Sequence, residues 1–300
     1  MALSSMRYKN SPFEPRVYRG KEFYIKRDDL LDKDFSGNKA RKFYYFLKND
    51  FPTIKRVVSY GSNQSNAMYS LSVLAKLKSW EFVYFCDHIP KLLKENPIGN
   101  FKYALLNGMK LIESKDRAKE ANELKSKTTL VIQEGGRQAE AKFGIELLAN
   151  ELKQDIKKHN IKNPYIFLPS GTGTTALYLS VFLDCRVFTC STVGGDEYLK
   201  DQFLELEKDE SLFPKILSSK KKYHYAKPYL ELYELWYELK KEMGVEFDLI
   251  YDTVGWQKFL LHANSIKGTP IYIHQGGIKG NESMLARYKR KFPKGVRAKL

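Results

Sequence analysis

Residues 165–176 have the sequence YIFLPSGTGTTA, in which a short apolar run is followed by a turn with two glycines and by the start of a second apolar run. The pattern predicts a strand at Tyr165–Leu168, a tight turn at Ser170–Thr175, and a helix that begins near Ala176. Because a strand whose carboxyl end turns into a helix is the building unit of α/β proteins, this stretch indicates that fold class.

Further β-rich runs alternate with segments of helical period along the chain, and most of them precede a helical segment. The alternation predicts an α/β fold with open, mainly parallel sheets flanked by helices. Gly and Pro occur as loop punctuation, so composition alone marks no domain boundary. The predicted runs are Val57–Tyr60, Phe82–Cys86, Leu130–Gln133, Arg186–Cys190, Asp248–Tyr251 and Ile271–His274.

Net charge and cysteine content bear on whether the protein binds nucleic acid or a metal. The 300 residues carry a net charge of +16, from 51 basic and 35 acidic residues. Although 287–299 is rich in Lys and Arg, basic residues are spread along the whole chain and alternate with acidic ones in segments such as 140–158, which is typical of a solvated helix face. We therefore expect no nucleic-acid partner. Three cysteines in strand-like runs, without paired spacing, predict reduced core residues and no metal site.

The sequence contains no run that approaches the ~20 apolar residues of a membrane helix. The stretch Met1–Asn10 also lacks the apolar segment of a signal peptide. These observations predict a soluble, cytoplasmic protein without a membrane partner.

The turn Ser170–Thr175 is suited to hold a phosphate. Its glycines let the backbone approach closely, its amides and hydroxyls are donors, and a helix N-terminus favours negative charge. The pattern Gly171-x-Gly173-x-x-Ala176 also matches the dinucleotide fingerprint, so an NAD-dependent oxidoreductase stays an alternative. Such an enzyme needs an acidic residue near the end of the next strand to bind the ribose. Neither candidate fits well, because Asp184 precedes that strand and Asp196 lies well beyond its end.

Two other segments contain candidate substrate-binding or catalytic residues. The turn 60–66 places amide and hydroxyl donors before the helical run 67–78, where a carboxylate would be held, although Ser65 and Asn66 are also preferred capping residues. Lys39 follows a Gly-Asn pair at the predicted start of a helix. Most lysines in so basic a chain are surface groups, so Lys39 becomes a catalytic candidate only in combination with the other motifs.

Six motifs follow one another along the chain, namely Lys26-Arg-Asp-Asp-Leu30, Ser36-Gly-Asn-Lys39-x-Arg-Lys42, Gly61-x-x-Gln-Ser-Asn66, Glu134-Gly-Gly136, Ser170-Gly-Thr-Gly-Thr174 and Gln275-Gly-Gly277. Together they resemble in order the motifs of one family, that of 1-aminocyclopropane-1-carboxylate (ACC) deaminase and D-cysteine desulfhydrase. The resemblance spans roughly 12–280, and it implies the two-domain tryptophan-synthase-β-like fold (fold type II) of enzymes that use pyridoxal 5'-phosphate. It also implies a homodimer.

The family's domain pattern implies a smaller α/β domain at 41–150 and a larger cofactor-binding domain formed by 1–40 and 151–300, with the active site in the cleft between them. By position, Lys39 resembles the lysine that binds the cofactor covalently, and Asn38 resembles the partner of the ring hydroxyl. The phosphate cradle and the substrate-binding segment that the resemblance implies are Gly171, Thr172, Gly173, Thr174 and Thr175, and Asn63, Gln64, Ser65 and Asn66, respectively.

Four further positions fit the family's active site or depart from it. Tyr225 and Tyr251 match its two active-site tyrosines. The residue after the second tyrosine is typically Glu in the deaminases and Thr in the desulfhydrases, but here it is Asp252. Position 275 is usually Leu or Thr, but here it is Gln275, which the resemblance also places among the cofactor-binding residues. An acid beside the pyridine nitrogen would keep it protonated, which is the role expected of Asp252 if its side chain reaches; alternatively, Asp252 caps a turn or pairs with a lysine.

The resemblance implies a deaminase or lyase that acts on a small amino acid, and it leaves two substrates open. D-cysteine would lose its α-proton to Lys39 and yield pyruvate, sulfide and ammonia, with Tyr251 assisting proton transfer. ACC has no α-proton, so its ring would open by attack of Ser65 or by removal of a ring proton by Lys39, which gives 2-oxobutanoate and ammonia. A catalytically drifted binding protein on the same fold is the remaining alternative.

Overall fold

Residues 10–297 are described in this computed structural model, so most of Met1–Asn10 and the last residues of the basic C-terminal stretch lie outside the described residues. Within them, ten strands form two sheets, a six-stranded sheet in the order β1-β2-β10-β7-β8-β9 and a four-stranded sheet in the order β5-β4-β3-β6. The strands are β1 Phe13–Tyr18, β2 Lys21–Arg27, β3 Arg56–Tyr60, β4 Glu81–Cys86, β5 Met109–Glu113, β6 Thr129–Ile132, β7 Pro164–Ser170, β8 Arg186–Ser191, β9 Lys215–Ile216 and β10 Thr269–His274.

Helices connect the strands and cover the sheets. The α-helices are α1 Gly37–Lys48, α2 Asn66–Lys78, α3 Lys91–Glu95, α4 Gly99–Leu106, α5 Arg117–Glu123, α6 Ala141–Lys158, α7 Thr174–Phe182, α8 Asp196–Leu204, α9 Leu230–Met243, α10 Asp252–His262, α11 Asn281–Lys291 and α12 Pro293–Arg297. In the part of the chain that the structure describes, no helix is long and apolar enough to cross a membrane.

The strand pairing confirms the predicted α/β class with mainly parallel sheets. Strands β1 and β2 form an antiparallel hairpin, and the other neighbouring pairs of these ten strands are parallel. Strands buried on both faces have continuous apolar sequences rather than alternating ones, as in β4 and β7. Parallel strands bring their carboxyl ends to one edge, where the following helices begin.

One predicted strand is wrong. Asp248–Tyr251 forms a turn that leads into α10, because the Asp248 side chain accepts the backbone N–H groups of Ile250 and Tyr251. A short polar side chain that captures nearby N–H groups competes with strand pairing. The other predicted runs correspond to strands to within two residues at each end, while β1, β2, β5 and β9 were not predicted.

Each sheet has its own apolar core, and α1 lies where the two halves meet. Phe43 and Phe46 of α1 pack in the core of the four-stranded sheet. On the other side of the same helix, the Arg41 guanidinium is fully buried and binds the carboxylates of Asp28 and Glu151. The expected domain limits at 40/41 and 150/151 fall inside α1 and α6, and they stay a prediction.

Candidate active site

A cavity of about 380 Å³ is lined by the last residues of strands from both sheets, Tyr60 of β3 and Ser170 of β7. It brings together most of the residues that the sequence singled out, although they are up to 237 positions apart (Asn38 and Gln275). Within the described residues no group of His, Cys, Asp or Glu is placed to hold a metal ion. The predicted site residues that line the cavity are Asn38, Lys39, Ser65, Asn66, Gly171, Thr172, Gly173, Thr174, Thr175, Tyr225, Tyr251, Asp252 and Gln275.

Lys39 lies in the first turn of α1, and the start of that helix is fixed by backbone contacts. The Asn38 N–H donates to the Gln275 carbonyl at 3.0 Å. Gly37 has φ +69°, and a Cβ there would lie 2.1 Å from the same carbonyl oxygen. Glycine is therefore required at this point of close approach. Burial lowers the pKa of the Lys39 amine from 10.5 to about 8, which makes the neutral, nucleophilic form accessible near physiological pH.

A second lysine, Lys42, reaches the cavity one turn further along α1, and the sequence prediction missed it. Its Nζ donates to the Gly135 carbonyl at 3.0 Å and to Thr172 Oγ1 at 3.2 Å. No carboxylate of the described residues lies within ion-pair distance of it. Burial, together with the neighbouring Lys39, lowers the pKa of Lys42 well below its usual range. The i, i+3 spacing from Lys39 was the available signal, because residues three apart share a helix face.

The segment Ser170–Thr175 joins β7 to the N-terminus of α7, where an anion is stabilised by free backbone N–H groups. Thr175 Oγ1 is buried and has no hydrogen-bond partner among the described residues. Gly173 has φ +70°, and a Cβ there would lie 2.4 Å from the Phe203 ring. The unpaired hydroxyl, the helix terminus and the Lys42 amine are together suited to a phosphate group, as pyridoxal 5'-phosphate carries.

Ser65 serves as the N-cap of α2, so the capping interpretation of this serine is correct. Its Oγ accepts the N–H groups of Ala67 at 3.1 Å and Met68 at 3.4 Å. The same side chain lines the cavity together with Asn66. The helix N-terminus therefore presents polar groups to the cavity, where a carboxylate is favoured.

The side chains of Asn63 and Gln64 have other partners and do not line this cavity. Asn63 Nδ2 donates to the His88 carbonyl, and Gln64 Nε2 donates to the Ile98 carbonyl, each at 3.2 Å. Only part of the predicted substrate-binding segment therefore lies at the cavity. Ser65 and Asn66 face the cavity, while Asn63 and Gln64 anchor the turn to neighbouring loops.

Asp252 and Gln275 both reach the cavity, and both are held by protein groups. Asp252 begins α10, is almost fully buried, and accepts the Tyr272 hydroxyl at 2.8 Å. Burial raises the pKa of this carboxyl well above its usual range. The Gln275 amide accepts from Asn38 Nδ2 at 2.8 Å and donates to the Pro169 carbonyl at 2.6 Å. Asp252 also accepts the Asp248 N–H at 3.3 Å, as the turn-capping alternative predicted, whereas its side-chain partner is a tyrosine and not a lysine.

Several cavity residues other than Lys42 were not predicted. Glu134 lies against the turn at Gly61, and its carboxylate is 3.7 Å from Arg117. Asp248 also lines the cavity, and Arg137 does so while its guanidinium pairs with the exposed Glu205 at 3.0 Å. Glu134 belonged to a quoted motif and Asp248 to the predicted strand Asp248–Tyr251, but neither was assigned to the site, and Arg137 follows no pattern that sequence spacing reveals.

Comparison with known proteins adds independent information. No family model matches the chain. Two proteins, each named "Putative 1-aminocyclopropane-1-carboxylate deaminase", match it at 25% identity over 291 residues. The Thermotoga maritima protein covers 87% of this chain and 90% of its own length, and the Pyrococcus furiosus protein covers 87% and 86%.

Solved structures extend the match to three dimensions. A crystal structure of an ACC deaminase homologue superposes with a TM-score of 0.77 at 21% identity, covering 97% of this chain and 94% of that chain. A crystal structure of a T.th. threonine deaminase gives a TM-score of 0.67 at 14% identity, with 90% and 92% covered. The resemblance to the ACC deaminase family is thereby confirmed, and the chain has the fold of the fold type II pyridoxal-phosphate enzymes.

Proposed function

We propose that this chain is a pyridoxal-phosphate-dependent enzyme that deaminates a small amino acid. The single observation that carries the proposal is the meeting, in one cavity, of the Lys39 amine, the Ser170–Thr175 cradle and the Ser65–Asn66 turn. A lysine of lowered pKa, a phosphate-binding helix terminus and a carboxylate-binding helix terminus are the three requirements for this cofactor and an amino-acid substrate.

The residues that would hold the cofactor follow from their contacts. Lys39 would bind it covalently, the 170–175 backbone and the Thr175 hydroxyl would receive its phosphate, and Lys42, once protonated beside that anion, would neutralise part of its charge. Asn38 and Gln275, which are joined at 2.8 Å, would border its ring. When bound, the cofactor supplies an electron sink for the bonds at the substrate α-carbon.

The protein's own groups supply binding and proton transfer. The N-terminus of α2 would orient the substrate carboxylate, and the Lys39 amine, once displaced by the substrate amine, would act as the base. Tyr251 and Tyr225 would then hold or deliver a proton on the substrate side, since their hydroxyls lie 3.0 Å apart. Asp252, which accepts the Tyr272 hydroxyl, follows the second tyrosine and would be the acid beside the ring nitrogen of the cofactor.

ACC and D-cysteine are the two proposed substrates, and the contacts of Ser65 bear on how ACC would react. Ring opening of ACC by nucleophilic attack requires a free Ser65 hydroxyl, whereas that oxygen accepts two backbone N–H groups. Removal of a proton by Lys39 serves both ACC and D-cysteine without involving Ser65. We therefore propose proton abstraction by Lys39 as the common first step, with ACC or D-cysteine as substrate.

The NAD-dependent alternative is less well supported. Asp196, the acid that would bind a ribose, already accepts the hydroxyl groups of Ser191 and Ser218. A dinucleotide site also has no need for a lysine of lowered pKa opposite the glycine turn. A drifted binding protein would keep the fold but would not need an accessible nucleophilic amine.

The test is the visible absorption spectrum of the protein after incubation with pyridoxal 5'-phosphate. We expect a yellow band that is absent in Lys39→Ala and retained in Lys48→Ala, because Lys48 lies at the far end of the same helix and does not line the cavity. D-cysteine and ACC are then added separately, and pyruvate, 2-oxobutanoate, sulfide and ammonia are assayed. A protein that stays colourless would contradict the proposal.

A further inference from the structure

Asp248 is a buried carboxylate in the wall of the cavity, 1% exposed, and its two oxygens have different surroundings. Oδ1 accepts the backbone N–H groups of Ile250 and Tyr251, which shapes the turn before α10. Oδ2 has no hydrogen-bond partner among the described residues. A buried carboxylate oxygen without a hydrogen bond destabilises the fold, so a donor group close to it is its expected partner.

That donor is the side-chain amide of Asn66, which faces Asp248 across Gly277. A Cβ at Gly277 would lie 2.6 Å from Asn66 Nδ2 and 3.0 Å from Asp248 Oδ2. The amide is oriented from its other end, because Asn66 Oδ1 accepts from Asn100 Nδ2 at 2.6 Å. The Nδ2 group is therefore the end that is turned toward Asp248.

We propose that Asp248 is a positioning residue that acts on two substrate-side groups at once, with Oδ1 holding the Tyr251 turn and Oδ2 receiving Nδ2–H of Asn66. Asn66 begins α2 beside the four-stranded sheet, whereas Tyr251 precedes α10 beside the six-stranded sheet. One carboxylate thus sets the separation between the turn that binds the substrate carboxylate and the tyrosine that handles protons. This role rests on the proposed function of the cavity.

Electrostatics supports an ionised Asp248 at neutral pH. Burial raises the pKa of its carboxyl to about 6, while the N–H donors and the Asn66 amide act in the opposite direction. A charged acceptor makes a stronger hydrogen bond to an amide than a neutral one does. The carboxylate is therefore suited to fix the Asn66 side chain.

The first experiment uses Asp248→Asn, Asn66→Ala and the double variant. Asp248→Asn keeps an oxygen for the Ile250 and Tyr251 N–H groups but places an NH2 group against the NH2 of Asn66. The visible spectrum of each holoenzyme is titrated with D-alanine, which carries the amino and carboxylate groups without a leaving group. Asp209→Asn is the matched control, because Asp209 caps an exposed turn outside the cavity.

We expect each single variant to weaken D-alanine binding roughly tenfold, a typical cost of one lost charge-assisted hydrogen bond. If Asp248 acts through Asn66, the double variant binds D-alanine within about twofold of Asn66→Ala alone. Losses that multiply would show that the two residues act independently and would overturn the role. An unchanged affinity in Asp248→Asn would overturn it as well.

The second experiment decides the pairing without cofactor or substrate. Urea unfolding of the wild type and the three variants as apoproteins gives their unfolding equilibrium constants. If the two side chains are coupled, the fold-change of this constant in the double variant should be smaller than the product of the two single fold-changes by about fivefold or more. Multiplying losses would overturn the pair. A protein that never takes up pyridoxal 5'-phosphate would defeat the proposed function, yet this unfolding cycle would still decide the Asp248–Asn66 contact.

Discussion

The hydroxyl oxygens of Tyr225 and Tyr251 lie 3.0 Å apart at the edge of the cavity, so one phenol donates to the other and only one proton of the pair remains for a third group. Burial raises the pKa of Tyr251 well above its ordinary value, so the pair is neutral at physiological pH. We therefore propose that the two tyrosines, 26 positions apart in sequence, act together in proton transfer.

If the tyrosines act as a unit, Tyr251→Phe and Tyr225→Phe should have similar effects on catalysis. We expect kcat for the responding substrate to fall roughly 100-fold in each, the usual size of a general acid or base contribution. The cofactor band should be unchanged. Steady-state kinetics checks this, with Tyr223→Phe as the control because Tyr223 does not line the cavity. Wild-type kcat in both variants would contradict the prediction.

Lys42→Met should weaken cofactor binding more than it affects stability. The buried amine lies 3.2 Å from Thr172 in the phosphate cradle, and one charge-assisted contact to a phosphate is worth about 1.5–3 kcal/mol, or roughly 10- to 100-fold in affinity. The measurement is the Kd of pyridoxal 5'-phosphate by absorbance. Lys200→Met, which alters an exposed lysine, should leave that Kd unchanged.

The rate of cofactor uptake should depend on pH in a way that reports the Lys39 amine. The neutral amine is the nucleophile, and burial lowers its pKa to about 8. Below that pKa the reactive fraction rises about tenfold per pH unit, and above it the fraction levels off. For an ordinary lysine the rise would continue to about pH 10.4. Stopped-flow absorbance of the apoprotein with pyridoxal 5'-phosphate, from about two pH units below to two above that pKa, distinguishes the two profiles.

Arg41→Met should be strongly destabilising although Arg41 does not touch the cavity. The variant leaves the carboxylates of Asp28 and Glu151 buried without their guanidinium, a change that typically costs about 3–5 kcal/mol. Arg19→Met removes the exposed Arg19–Glu238 pair, and we expect less than about 1 kcal/mol for it. Urea unfolding of both variants measures the difference. Equal losses would show that burial of the ion pair is unimportant.

The elements that could be predicted from the sequence are those whose signal is local. The apolar runs at β3, β4, β7 and β8 indicated parallel strands, and the glycine turn at 170–175 indicated a helix terminus. The antiparallel hairpin β1–β2 was missed because its strands mix charged with apolar residues. Asp248–Tyr251 was assigned to a strand on its apolar composition, although the Asp248 side chain folds the segment into a turn.

The site could be predicted only where a motif marked it. Lys39, Ser65 and the cradle were located by motif order, and the structure places them in one cavity. Lys42 and Asp248 were missed because their importance depends on tertiary neighbours, namely Thr172 for the lysine and Asn66 for the aspartate. Asn63 and Gln64 share a motif with Ser65, yet the direction of their side chains is set by loops that the motif does not contain.

Helix α1 buries Phe43 and Phe46 in one core and Arg41 in the ionic cluster that joins the segment after β2 to α1 and α6. Because α1 packs in the core of one half and binds the ionic cluster of the other, we expect the opening of either half to displace this helix. The lowered pKa of Lys39 therefore exists only while both halves are intact. Loss of the reactive amine and loss of the fold should follow one sigmoidal curve in denaturant, so the colour of the cofactor would serve as a gauge of global unfolding.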